Sequence, residues 1–235
     1  MPTLRSVFRT SNLGRFGSLL IALAGTFVIA PFFTDEAEGV SVISVLYTVV
    51  MIVGAYAVSQ RGRVFWIGIS LAAPAIALEW ISNFVVTTPL VLANMFFAVL
   101  FIIYVSGVVL YEVLDEDRVT LDTIAGGIAV YLLIGVGWVL AYAAIEYIHP
   151  GAFLIQGQTL HEIHPEIQVR YTEFLYFSFV TMTTLGYGDM IATIPPARAL
   201  AAAEAVVGQL YLAIFVARLV GLHLAHQHFQ RSHSD

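Results

Sequence analysis

Long runs of apolar residues, separated by short polar segments, dominate the chain. Six runs approach or exceed the ~20 residues that an α-helix needs to cross a membrane. They cover residues 17–33, 40–59, 64–86, 89–114, 121–148 and 198–224. A further segment, 171–183, is rich in aromatic residues but too short to cross. The pattern predicts an all-α membrane protein with six transmembrane helices and one re-entrant helix.

The composition supports this prediction and excludes other classes of protein. Of 235 residues, 59% are hydrophobic and only 11% are charged, whereas soluble domains average about 25% charged residues. The chain has no cysteine, so a disulfide framework and a cysteine-ligated metal site are excluded. Without a basic patch we expect no binding to nucleic acid. No nucleophile–base pair or metal cluster is evident, so we expect neither an enzyme nor a cofactor.

The arginines predict the orientation, because cytoplasmic loops are enriched in basic residues. If the N-terminus is cytoplasmic, eight arginines lie inside: Arg5, Arg9, Arg15, Arg61, Arg63, Arg118, Arg218 and Arg231. Only Arg170 and Arg198 then lie outside. We therefore expect an uncleaved first helix, both termini in the cytoplasm, and a multi-pass protein of the cell membrane.

The order of segments predicts four regions. Residues 1–16 form a cytoplasmic N-terminus, 17–114 a four-helix transmembrane bundle, 119–224 a second helical domain, and 225–235 a cytoplasmic tail. The fourth span contains no lysine or arginine. A voltage sensor needs several such charges, since one charge moved through 100 mV yields only about 2.3 kcal/mol. We expect no intrinsic voltage sensing.

The second domain contains the most informative motif, Thr183-Thr184-Leu185-Gly186-Tyr187-Gly188-Asp189. Glycines at alternate positions allow backbone conformations that other residues avoid. Such a run offers successive carbonyl oxygens and one threonine hydroxyl as ligands. Several copies around an axis can replace the hydration shell of a monovalent cation.

The motif resembles the selectivity filter of potassium channels, usually written T-V-G-Y-G, with Leu185 in the valine position. From about residue 119 to 221 the chain looks like the outer helix, pore loop and inner helix of that pore family. The resemblance implies that Thr184, Leu185, Gly186 and Tyr187 bind K⁺ through backbone carbonyls and the Thr184 hydroxyl. Gly188 completes the filter and Asp189 lies at its outer mouth. One pore loop supplies a quarter of a filter, so the resemblance also implies a homotetramer.

Two residues of the last span are candidates for gating or modulation. Gly208 lies where inner helices of potassium channels often have a glycine hinge; the alternative is a small residue that permits close packing. Glu204 is an acid at membrane depth, which is costly and points to a function. It could hydrogen-bond the pore helix or the filter base, or serve only as a satisfied structural carboxylate.

Other polar residues allow two interpretations each. Glu79 is either a proton or ligand sensor or a hydrogen-bonded carboxylate near the outer interface. His161 and His164 could titrate near neutral pH or be solvated loop residues. His226 and His228 give only a weak indication of metal binding.

The sequence therefore predicts a passive, potassium-selective channel in contact with membrane lipids. A weakly selective monovalent cation channel is one alternative, and a non-conducting assembly or receptor subunit is another. The opening stimulus is not predicted.

Overall fold

A computed structural model describes residues 14–32, 42–59, 62–85, 87–116, 119–163 and 167–231. Its helices are α1 (Arg15–Ile29), α2 (Val42–Ala57), α3 (Gly62–Ser82), α4 (Thr88–Asp115), α5 (Leu121–Ile148), α6 (Leu160–Ile163), α7 (Ile167–Met182) and α8 (Pro195–Arg231). A 3₁₀ turn, Ala30–Phe32, follows α1. Three short strands accompany them: β1 (Phe153–Ile155), β2 (Gln158–Thr159) and β3 (Met190–Ala192).

Four of the described helical segments are long and apolar enough to cross a membrane: Gly62–Ser82, Thr88–Asp115, Leu121–Ile148 and Pro195–Leu222. The helices α1 and α2 have 15 and 16 residues. At ~1.5 Å per residue they are about 22 and 24 Å long, shorter than a ~30 Å membrane core. The first two predicted spans are therefore shorter as helices than their apolar runs.

The last helix differs from its prediction at both ends. It begins at Pro195, because a proline fits the first helical turn, where its missing N–H has no partner to lose. The predicted start at residue 198 was therefore wrong by three residues. The helix also continues to Arg231, through most of the predicted tail.

The loop after α5 is folded rather than irregular. Gln156 and Gly157 both have positive φ, 51° and 86°, which a two-residue hairpin turn requires. This turn joins β1 to β2, and β1 also pairs antiparallel with β3, in the order β2-β1-β3. The sheet, absent from the all-α prediction, connects the segment before α7 to the segment that follows the motif.

Side chains between elements fix the arrangement of the helices. Thr120 caps α5 by accepting a hydrogen bond from the N–H of Thr123. Asp122 accepts a 3.0 Å hydrogen bond from the Gly17 N–H at the start of α1. At the same end, the Arg218 guanidinium donates to the Leu114 carbonyl oxygen at the end of α4. These contacts connect the first and fourth helices to the second domain.

Candidate functional site

The backbone of the glycine-rich motif alternates between two conformations. φ is positive at Thr184 (60°), Gly186 (57°) and Gly188 (78°), but not at Leu185 or Tyr187. Glycine accepts positive φ without steric cost, whereas Thr184 adopts it with strain. A backbone that alternates in this way turns successive carbonyl groups toward the same side of the chain.

The end of α7 holds the N-terminal end of the motif. The N–H groups of Leu185 and Gly186 both donate to the carbonyl oxygen of Val180, at 2.9 and 3.2 Å. The Thr184 N–H donates to Thr181 O at 2.9 Å. Because the last carbonyls of a helix lack partners within it, these bonds satisfy them and fix the chain reversal.

No described residue of the chain covers the motif. Residues 183–189 are all exposed. Leu185 and Tyr187 are 54% and 68% exposed, although both have large hydrophobic side chains. Exposed apolar surface of this kind is typical of a contact with another molecule.

At the C-terminal end of the motif, Asp189 is held by two elements. Its side chain accepts a 2.6 Å hydrogen bond from the Tyr176 hydroxyl of α7. Its carbonyl oxygen accepts from the Gln156 N–H of the hairpin turn at 3.1 Å. The tyrosine hydrogen bond lowers the pKa of Asp189 below its ordinary value, because it stabilises the ionised carboxylate. The Asp189 carboxylate therefore carries a negative charge at neutral pH.

A wall of aromatic rings lies behind α7. Phe153 of β1 contacts Phe174 and Phe177 of α7 edge to face, at ring-centroid distances of 5.1 and 5.4 Å. Tyr142 of α5 contacts Phe177 at 5.1 Å. Phe177 therefore belongs to the wall, whereas the neighbouring Tyr176 contacts Asp189.

Glu204 lies within this wall and is completely buried. Its carboxylate accepts hydrogen bonds from the Tyr142 hydroxyl and, at 2.5 Å, from Ser178 Oγ. Ser178 Oγ also lies 3.0 Å from the Gly135 carbonyl oxygen of α5. Glu204 of α8 is therefore hydrogen-bonded to α5 and α7. Of its two predicted partners, the short aromatic helix, here α7, is present. No hydrogen bond joins Glu204 to the described residues of the motif.

Gly208 lies against the C-terminal end of α7. A Cβ atom added there would stand 2.8 Å from the Met182 carbonyl oxygen and closer still to Met182 Cγ. The next residue, Gln209, donates its side-chain amide to the same Met182 oxygen at 3.2 Å. The helix is continuous through Gly208. This contact gives the close-packing interpretation a specific partner.

Glu146 is a site residue that sequence reasoning missed. It is 2% exposed near the end of α5, and its two oxygens accept from the Gly151 and Phe153 N–H groups at 2.9 and 3.1 Å. It therefore positions the first strand and, through Phe153, the aromatic wall. The sequence offered one signal: Glu146 is an isolated acid near the end of an apolar helix, five residues before Gly151.

Other predicted residues lie elsewhere. Glu79 faces a separate cluster, where Ser44 Oγ and Asn94 Nδ2 donate to its two oxygens at 2.9 and 2.6 Å. These hydrogen bonds agree with the second interpretation of Glu79, a hydrogen-bonded carboxylate. His164 and the side chains of His161, His226 and His228 lie outside the described part of the chain.

Comparisons with known proteins agree with the motif. A family model described as "Ion channel" matches residues 148–222, from the end of α5 into α8. The chain is also similar to two pore potassium channel a of Oryza sativa subsp. japonica, with 31% identity over 114 residues. That match covers 48% of this chain but only 28% of the relative. No solved structure matches the chain. The predicted resemblance to the potassium-channel pore family is confirmed, and the apolar helices make this a multi-pass membrane protein.

Proposed function

We propose that this chain, whose residues 148–222 match an ion-channel family, forms a passive potassium-selective channel. The observation that carries the proposal is the alternation of φ from Thr184 to Gly188. This backbone offers a column of carbonyl oxygens on one side, and several such columns around an axis replace the water around K⁺. Thr184, Leu185, Gly186 and Tyr187 bind the ion, Gly188 completes the filter, and Asp189 attracts cations to the mouth.

The channel is a homotetramer, because one chain supplies a single strand of the filter. The exposed Leu185 and Tyr187 side chains pack against neighbouring copies in this arrangement. Helix α8 has further surface for such contacts and for lipid. Among its described side chains, five large apolar ones are more than half exposed: Val206, Leu210, Ile214, Val216 and Val220. Closed symmetry around one axis makes each copy contact two others through the same pair of surfaces.

Six helices cross the membrane, with α1 and α2 completing the four-helix bundle and both termini in the cytoplasm. Residues 17–114 form that bundle, and residues 119–224 form the pore domain. Helix α4 has no lysine or arginine between Thr88 and Asp115. The bundle therefore does not sense voltage, and opening is controlled near the filter, by Glu204 and by the packing or bending of α8 at Gly208.

The proposal is tested with purified protein in liposomes loaded with K⁺ and diluted into Na⁺. Potassium-selective conduction is supported if K⁺ efflux makes the liposome interior negative, as measured with a voltage-sensitive dye. Efflux without a potential indicates the weakly selective cation channel. Protein that forms tetramers but passes no ion under any pH or lipid condition indicates the non-conducting scaffold.

A further inference from the structure

A cavity of about 140 Å³ lies where helices α1 to α4 meet α5 and α7. Most of its wall is aliphatic or aromatic, including Met95, Val136, Leu175 and Phe179. An engineered apolar cavity of about 150 Å³ binds benzene. A molecule built on one aromatic ring therefore fits the space.

Polar groups are confined to a small part of the wall and are held in place. Glu79 and Asn94 both line the cavity. Asn94 Nδ2 donates to one Glu79 oxygen at 2.6 Å, while the Tyr47 hydroxyl donates to Asn94 Oδ1 at 3.2 Å. Ser44 donates to the other Glu79 oxygen at 2.9 Å. A carboxylate has about four acceptor positions, so each oxygen can accept one more hydrogen bond.

Among the described residues, Glu79 has neutral donors but no cation beside it. Within the described residues the one ion pair is Arg15–Glu112, and the chain contains no lysine. A carboxylate in apolar surroundings is costly unless a cation pairs with it. A charge-assisted hydrogen bond from an ammonium group is also about twice as strong as one between neutral groups.

We propose that this cavity binds a small aromatic molecule that carries one protonated amine. The amine donates to Glu79, and the ring packs against Val136, Leu175 and Phe179. Leu175 and Phe179 belong to α7, and the Phe179 carbonyl oxygen accepts the Thr183 N–H at 3.0 Å. The bound molecule therefore contacts the helix that holds the glycine-rich motif. Binding is a property of the folded chain and does not depend on the proposed ion conduction.

The test uses the full chain in nanodiscs and two probes of equal size, 4-fluorobenzylamine and 4-fluorobenzyl alcohol, followed by fluorine NMR at neutral pH. The amine is expected to bind saturably, with a Kd at least tenfold below that of the alcohol. Glu79→Gln keeps the side-chain size and is expected to remove this tenfold preference. Asp115→Asn removes an exposed carboxylate outside the cavity and is expected to preserve it.

A second variant tests the location. Ala98, also in the wall, is 1% exposed, and Ala98→Leu reduces the space for the ring. It is expected to weaken both probes at least tenfold, in protein whose assembly and melting temperature are checked first. Equal affinities for amine and alcohol would overturn the proposal, as would an amine preference that survives Glu79→Gln. No saturable binding of either probe, as when a lipid acyl chain occupies the cavity, would overturn it too.

Discussion

The glycine-rich motif and the wall behind it are built in opposite ways. Residues 183–189 are exposed throughout, and the motif uses mainly its backbone. The wall, with Tyr142, Phe153 and Glu204, is completely buried and uses side chains. The difference fits the proposal that one chain builds the support by itself, whereas other copies complete the proposed filter. Substitutions in the motif should therefore reduce ion flux, whereas substitutions in its support should also reduce the stability of the protein.

The largest effect is expected from Gly186→Ala. Gly186 has φ of 57° and no neighbouring atom within 4 Å of an added Cβ, so the change strains the backbone without a clash inside the chain. A left-handed conformation costs a non-glycine residue roughly 1–2 kcal/mol. We expect at least a tenfold loss of K⁺ flux in liposomes, with the chain still folded.

The matched control is Gly25→Ala, in α1, which also has open space but ordinary helical φ. It should leave the flux unchanged. Normal flux through Gly186→Ala would show that the alternating backbone is not required.

Gly208→Ala should damage the support rather than the filter. The added methyl group overlaps Met182, and overpacking of this kind costs about 1–3 kcal/mol. We expect a lower melting temperature of the assembled protein together with reduced flux. Gly221→Ala, in the same helix with nothing within 4 Å, is the control. Reduced flux with an unchanged melting temperature would favour the hinge over close packing.

Replacing Glu204 separates its structural and functional roles. Glu204→Ala leaves the buried Tyr142 hydroxyl without its acceptor, which costs about 1–3 kcal/mol. Glu204→Gln keeps an acceptor oxygen and the side-chain size, so its free energy of unfolding should fall less. Denaturant unfolding measures both, with the exposed Glu116→Gln as control.

Electrical recordings of Glu204→Gln then decide the second role. A changed conductance, selectivity or inactivation is expected if the carboxylate modulates the pore. If all three are unchanged, Glu204 serves only to connect the helices.

The smallest effect is expected from Tyr176→Phe, which removes the hydrogen bond to Asp189. That bond lowers the pKa of Asp189 from its ordinary value of 3.8. The stabilisation it provides is therefore present above the ordinary value and is lost as pH falls through the lower value of the folded protein. Without the hydroxyl, the pKa rises and acid should reduce K⁺ flux at a higher pH. An identical pH profile for the variant would show that this bond does not control the charge at the mouth.

The sequence predicted those features that depend on local pattern. The observed bounds of α5 agree with the predicted run 121–148 at both ends. The apolar run begins after a polar N-cap and ends before His149-Pro150-Gly151. Tyr176 and Phe177 are adjacent in the sequence, but adjacent residues of a helix project about 100° apart. They therefore contact different partners.

Contacts that depend on the folded chain could not be predicted. The burial of Glu146 is explained by its hydrogen bonds from the backbone N–H groups of Gly151 and Phe153. Phe153 in turn pairs with β3, which lies beyond the motif. The contact between Gly208 and Met182 joins residues on two helices whose approach no periodicity specifies. Conversely, the glycines of the motif were recognisable, because the positive φ of Gly186 and Gly188 favours glycine.

Single-channel recording in a planar bilayer, with K⁺ on one side and Na⁺ on the other, tests the central claim most directly. A homotetramer with this filter should show unitary currents whose reversal potential lies far from zero, in the direction that opposes K⁺ flow. The reversal potential should be the same at every pH where the channel opens. Unitary currents that reverse near zero would contradict potassium selectivity.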